Sequence, residues 1–394
     1  MVHFDPYDHA THDDPYPIYR ELREQAPLYY AEPYKLWVLS RYADCSRGAR
    51  DFKSFASRFG ISVDEAKEQL PAVLTVDPPD HTRMRRLMSA MFTPDAVRPL
   101  ESSVRELALQ LIGPHLESGR IDIITDFAAR LPMAIICRLL GFPREDEDML
   151  RGWTDLVVAR DEGVTEMPQA AIDATLSLFA YFEQHMAERE HRPVQNDLIA
   201  RLMQAEKEGV LSHAEVLGNT YVLSIAGNET TTKLIGNFTY QLHKNPAERD
   251  LLLADPSLAA SAIEETLRYD GPTQLMARTV DRDVEYHGRT LRPGERVLLV
   301  FMSANRDDRH FADPDTYSVR RNPHDHLGFG GGLHSCLGAA LARLEGRVAL
   351  EEVLRLMPDF EVEETGLERM HSPAVRGYTH VPVRFTPPTA GRLS

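Results

Sequence analysis

The feature that most constrains the fold of this chain is a stretch without proline from Ser212 to Pro246. Ser212 followed three residues later by Glu215 has the form of a capping box, in which hydroxyl and carboxylate each satisfy a free amide at a helix start. A helix opened there would run about 32 residues, roughly 48 Å at 1.5 Å per residue. Its middle, Tyr221 to Ala226, is apolar on nearly every face, as expected of a helix through the centre of a large core. Gly227, Asn228, Glu229, Thr230 and Thr231 follow directly, and an acid and hydroxyls there are costly to bury without partners. Gly227 and Thr230 would let the helix open into a water-holding bulge. The blander reading is a hydroxyl bonding back to its own helix and an acid facing solvent.

Around this rod the pattern is mostly helical with a minor β portion. Leu36 to Leu39 form an apolar run bounded by turn residues, as a strand would be. From about Asp80 to Pro272 helices dominate, with Thr93-Pro94-Asp95 supplying N-cap and first-turn chemistry. After Pro272 come strands at Asp283 to Tyr286 and Arg296 to Phe301, with a His287-Gly288 turn between. A last helix is expected from Cys336, with Leu337, Leu341, Leu344 and Val348 on one face. No repeat or flexible linker divides the chain. A single domain over 1–394 is expected, with a mixed part at about 1–76, a helical part at 77–272, and a β-rich part carrying the cysteine loop at 273–394.

Of the 394 residues 43% are hydrophobic and 26% charged, and the net charge is -16. That balance argues against nucleic acid, whose phosphates demand a basic surface. No run approaches the roughly 18 to 20 apolar residues that span a bilayer, and the first residues lack a leader pattern. A cytoplasmic location without membrane attachment is expected. Three cysteines (Cys45, Cys137, Cys336), widely spaced, give neither a disulfide framework nor a zinc knuckle.

Cys336 stands in Phe329-Gly330-Gly331-Gly332-Leu333-His334-Ser335-Cys336-Leu337-Gly338. Three glycines leave room for a flat cofactor close to the backbone. A sulfur at a helix start is favoured as thiolate, and a thiolate is a strong axial ligand for haem iron. The alternative is a buried, inert cysteine in a glycine-rich loop. At every fixed position the segment resembles the haem-ligating motif of the cytochrome P-450 family, Phe-x-x-Gly-x-His/Arg-x-Cys-x-Gly. Asp14-Pro15-Tyr16-Pro17, Asp77 to His81 and Asn305-Arg306-Asp307 also resemble strings of bacterial members, so the likeness covers nearly the whole length.

The resemblance implies a P-450 fold, haem b (iron protoporphyrin IX), and Cys336 as the iron ligand, with Phe329, Gly330, Gly338 and Ala226 against the cofactor. It implies that Glu229 and Thr230 relay protons for oxygen activation. Glu265 and Arg268, as Glu-x-x-Arg, would form a structural triad with Arg321, or failing that Arg320. His81, Arg85, Arg278 and His334 would hold the haem propionates.

The reaction implied is insertion of one oxygen atom of O2 into an apolar small molecule, a lipid, terpenoid, polyketide or macrolide, or aromatic. Val222, Leu223, Ala226, Leu275, Met276, Val375 and the variable stretch from Arg58 to Leu74 are the candidate pocket. No flavin or iron–sulfur motif is present in the sequence, so a separate ferredoxin and its reductase would supply electrons to a monomer, docking near Arg83, Arg86 and Arg343. Two other readings compete: a peroxygenase driven by hydrogen peroxide, which has no need of the Glu229–Thr230 pair, and a non-catalytic haem sensor, which would bring an output domain.

Overall fold

The computed structural model describes residues 2–63, 70–158, 164, 166–189 and 196–387. After a short helix at His9–Asp13 come helix α1 (Tyr16–Gln25), the antiparallel strands β1 (Leu28–Ala31) and β2 (Leu36–Leu39), helix α2 (Tyr42–Arg50) and the short β3 (Phe55–Ala56). The apolar run read as a strand is β2, buried at all four positions. The helical stretch follows: α3 (Asp80–Ser89), α4 (Arg130–Leu140), α5 (Glu147–Val158), α6 (His213–Lys244) and α7 (Ala259–Tyr269). In the short helix Pro94–Val97 the Thr93 hydroxyl accepts the Ala96 amide at 3.2 Å, as its cap chemistry predicted.

Helix α6 is the expected rod. It is 32 residues long and its capping box is complete: the Glu215 amide donates to the Ser212 hydroxyl and the Ser212 amide to the Glu215 carboxylate. It packs against α4, α5, α7 and α9, the last helix (Ala339–Leu356). The bulge expected at Gly227 and Thr230 is absent, and α6 stays α-helical throughout. Gly227 serves close packing instead, since a Cβ there would stand 3.0 Å from the Ile136 side chain on α4. Thr230 donates to the Ala226 carbonyl at 2.9 Å.

The C-terminal part holds β4 (Met276–Val280), β5 (Val284–Tyr286), β6 (Arg289–Leu291) and β7 (Arg296–Leu299). The His287-Gly288 turn joins β5 to β6, a three-residue strand too short to show in the hydrophobic pattern. The run from Arg296 ends as a strand at Leu299, and Phe301 opens helix α8 (Phe301–Ala304). β7 joins a five-stranded sheet in the order β1-β2-β7-β4-β3, parallel to β2 and antiparallel to β4. Its Val297, Leu298 and Leu299 are all buried, so both faces are covered. The last helix begins at Ala339, three residues past Cys336, with Leu341, Leu344 and Val348 buried as its spacing predicted.

Buried apolar residues form two clusters. One, including Ile136, Leu223, Phe238 and Val353, lies among the helices. The other, including Trp37, Leu275, Val297 and Phe301, surrounds the five-stranded sheet.

Candidate active site

A cavity opens between α6 and the loop before α9, with walls drawn from both clusters. Val222, Leu223, Ala226 and Thr230 of α6 line it, with Met276 and Arg278 of β4, Phe301 of α8 and Arg85 of α3; Phe329, Gly330, His334, Cys336 and Gly338 close it from the loop.

The loop is shaped by its glycines. Gly330 and Gly332 have φ of 67° and 66°, conformations that side chains disfavour. A Cβ on Gly332 would come 2.6 Å from the Ala49 carbonyl of α2, so this glycine seats the loop on its neighbour. At Gly330 the nearest atom would be 3.8 Å away, leaving that face free. The Cys336 amide donates to the Phe329 carbonyl at 2.9 Å. Cys45 and Cys137 are buried, and burial pushes both thiols up; the inert reading fits them. Cys336 is accessible and lines the cavity. Burial within the fold pushes its thiol up too, while the Gly338 amide, Arg85 and Arg343 pull it back. The amide of Gly338, rather than a helix start at Cys336, supplies the expected positive potential.

Cationic groups gather at one side. Arg278 is 3% exposed and donates to the Ala277 carbonyl at 2.7 Å, with no ion pair among the described residues. His81 is buried, its ring 4.5 Å from that of His334. Neither ring nitrogen of His81 nor Nε2 of His334 has a well-formed hydrogen bond. Arg85 reaches the Ser335 hydroxyl at 3.4 Å. Burial pushes His81 down to about 4 and Arg278 down to about 10. Buried polar atoms without partners call for one, and this set calls for anions.

The acid of α6 does not face solvent. Glu229 is 2% exposed, 3.4 Å from Lys233 one turn on, and turned toward Asp155 of α5 rather than into the cavity. Burial pushes it up to about 8, with the Lys233 ammonium pulling it back. The blander reading of this segment therefore holds for the Thr230 hydroxyl, which bonds back to its helix, and fails for the acid.

Beneath the loop, Arg268 and Glu265 are fully buried and joined by two hydrogen bonds of 2.8 and 2.7 Å. Arg268 also donates to the carbonyls of Asn305, Pro314 and Thr316. Arg321, not Arg320, reaches Glu265 at 3.2 Å. Asn305 accepts the Leu327 amide at 2.7 Å, which connects this cluster to the cysteine loop.

Against known proteins, the family model described as cytochrome P-450 matches residues 253–375. The protein named cytochrome P-450 123 in Mycobacterium bovis is 41% identical over 386 residues, 96% of each chain. The chain belongs to the cytochrome P-450 family. The polyketide biosynthesis cytochrome P-450 PksS of Bacillus subtilis is 33% identical over 97% of this chain and 98% of its own. The crystal structure of CYP109E1 from Bacillus megaterium in complex with testosterone superposes with a TM-score of 0.89 at 32% identity, covering 94% of this chain and 98% of that one. As a P-450 the chain is a monooxygenase that carries haem iron and acts on a small molecule with O2.

The residues fit that cofactor: a thiol on one wall, a glycine face beside it, and orphaned cationic and imidazole donors at one rim. Some P-450 site expectations need correcting. Leu275, which precedes β4, is 1% exposed and packs in the sheet cluster, while its neighbour Met276 lines the cavity. Val375 bridges Thr273 and does not line the cavity. Part of the Arg58 to Leu74 stretch, 64–69, lies outside the described residues, while Val73 and Leu74 line the wall. Arg83 is paired with Glu215 and Asp80, and Arg343 with Glu264, so of the three docking arginines only Arg86 is without an ion pair among the described residues. No helix of the described residues is long and apolar enough to cross a membrane.

Ile136, Phe301 and Glu345 also line the cavity. Nothing in their local sequence marked them, since helix α4 reads as ordinary core and Glu345 as an exposed acid. Glu345 is 1% exposed, and burial pushes it up to about 8, with Thr231 pulling down. A raised carboxyl stabilises the fold fully below its ordinary value of 4.5 and loses that contribution as pH rises through 8. Wild-type stability to denaturant is thus expected to fall across this interval by up to about 1.4 kcal/mol per pH unit from this group. Glu345→Gln should flatten that slope, and an unchanged slope would refute the assignment.

Proposed function

We propose that the chain is a single-domain, monomeric, cytoplasmic monooxygenase holding haem b through Cys336, and that it hydroxylates or epoxidises an apolar small molecule with electrons from a ferredoxin and its reductase. The observation that carries this is one cavity bounded by the Cys336 thiol on one side and by Ala226 and Thr230 of α6 on the other. Bound there, haem supplies the redox iron at which dioxygen is activated.

The chain's own residues do the rest. Cys336 would bind as thiolate, its charge balanced by the Gly338 amide, Arg85 and Arg343. Arg85, Arg278, His81 and His334 would take the cofactor's carboxylates. The Thr230 hydroxyl donates to the Ala226 carbonyl, which leaves its oxygen lone pairs as acceptors toward the cavity; to pass its proton onward it would release that carbonyl while its oxygen takes a replacement proton. Glu229 would refill that hydroxyl after turning from Lys233, with Asp155, which is 45% exposed, as its contact toward water. Val222, Leu223, Met276, Phe301 and Ile136 give an apolar wall for substrate. Relatives named for polyketide biosynthesis and crystallised with testosterone support a bulky apolar ligand.

The test is turnover with O2 and a surrogate ferredoxin pair, following substrates that shift the ferric spectrum in titration. Thr230→Ala is expected to keep haem and substrate binding while diverting most electrons to peroxide. Full coupling in that variant would remove the relay. Product with hydrogen peroxide alone, and none with the ferredoxin pair, would favour a peroxygenase; no product in either assay would favour a haem sensor.

A further inference from the structure

The cationic rim contains one acid. Among the described residues, the single ion-pair contact made by His81, Arg85, Arg278 or His334 is that of His334 Nε2 with Asp77 Oδ1, at 3.9 Å. Asp77 has a side chain only 10% exposed. Its Oδ1 accepts the Ser57 amide at 3.0 Å; its Oδ2 accepts the Arg58 amide at 3.2 Å and Arg58 Nη1 at 3.0 Å. The other arm of Arg58 pairs with Asp281, just past β4. The Asp77 carbonyl accepts the His81 amide at 3.1 Å, in the first turn of α3. One side chain therefore ties the segment after β3 to the rim.

This position has an electrostatic consequence. Haem would bring two carboxylates to a rim where Asp77 already stands 3.9 Å from His334 and raises Arg278 by its charge, and a third negative charge nearby weakens their hold. The same charge favours the iron's more positive oxidation state. The tie at Ser57 and Arg58 makes that charge sensitive to any displacement of those two residues.

We propose that Asp77 is a positioning residue that couples the Ser57–Arg58 segment to the cofactor's carboxylate site, competing with the haem carboxylates for His334 and Arg278. The inference rests on the proposed haem function and deepens it.

The experiment uses the haem-loaded full chain. Asp77→Asn keeps an oxygen for the Ser57 and Arg58 amides but removes the charge. It is expected to shift the iron midpoint potential to more positive values in spectroelectrochemistry and to slow haem transfer to apomyoglobin several-fold. Arg58→Gln removes the cation that screens Asp77 and is expected to move both readings the other way, which gives a second arm should Asp77→Asn fold poorly. Wild-type potential and transfer rate in either variant would overturn the proposal and leave Asp77 as a loop tie alone. A wild-type chain that took up no haem would sink the functional reading with it, a result recognisable before any variant is made.

Discussion

Cys336→Ser is expected to abolish the long-wavelength Soret band of the reduced carbon monoxide complex and to take monooxygenase activity below detection. The band reports a thiolate bound to haem iron, and serine is too weakly acidic to replace the sulfur as an anion. The substitution is nearly isosteric, and the loop's own supports are independent of the sulfur: the Cys336 amide bond to Phe329 and the seat of Gly332 on Ala49. The loss should therefore come without unfolding. A normal band in the serine variant would remove Cys336 as ligand and with it the oxygenase account.

Arg268→Met is expected to cost about 3–5 kcal/mol, the usual effect of leaving a buried charge without its partner. Glu265 would remain at zero exposure, held at one oxygen by the Ser318 amide and Arg321. Replacing Glu265 as well should not restore stability, since the backbone carbonyls of Asn305 and Pro314 would still lack their donor, while that of Thr316 keeps Arg321. Denaturant unfolding of single and double variants checks this, with haem content as a parallel reading. A double variant as stable as wild type would show that the pair acts as an ordinary replaceable ion pair.

What could be read from sequence followed from how local its cause is. The cap of α6, the four buried residues of β2 and the apolar face of α9 from Leu341 onward depend on neighbouring residues and appear where the pattern put them, while the start of α9 falls at Ala339 and leaves Leu337 outside the helix. Cys336 was singled out by its glycine-rich loop, Arg278, His334 and Arg85 by the family resemblance, and the fold brings all four to one cavity. Errors arose where the decisive contact is distant in sequence. Gly227 read as opening a bulge because Ile136, which its missing side chain admits, is 91 residues earlier by numbering. Arg343 read as free charge because its partner Glu264 lies on another helix. Leu275 and Met276 are adjacent apolar residues, and only the packing of the fold around them separates core from cavity wall.

The two apolar clusters bear on substrate range. The ceiling over Cys336 belongs to the helical cluster, through Leu223 and Ile136, and a side wall belongs to the sheet cluster, through Phe301. The cavity thus lies on the seam between two packed bodies, and a cross-link across it is expected to narrow the set of compounds turned over before it harms the fold.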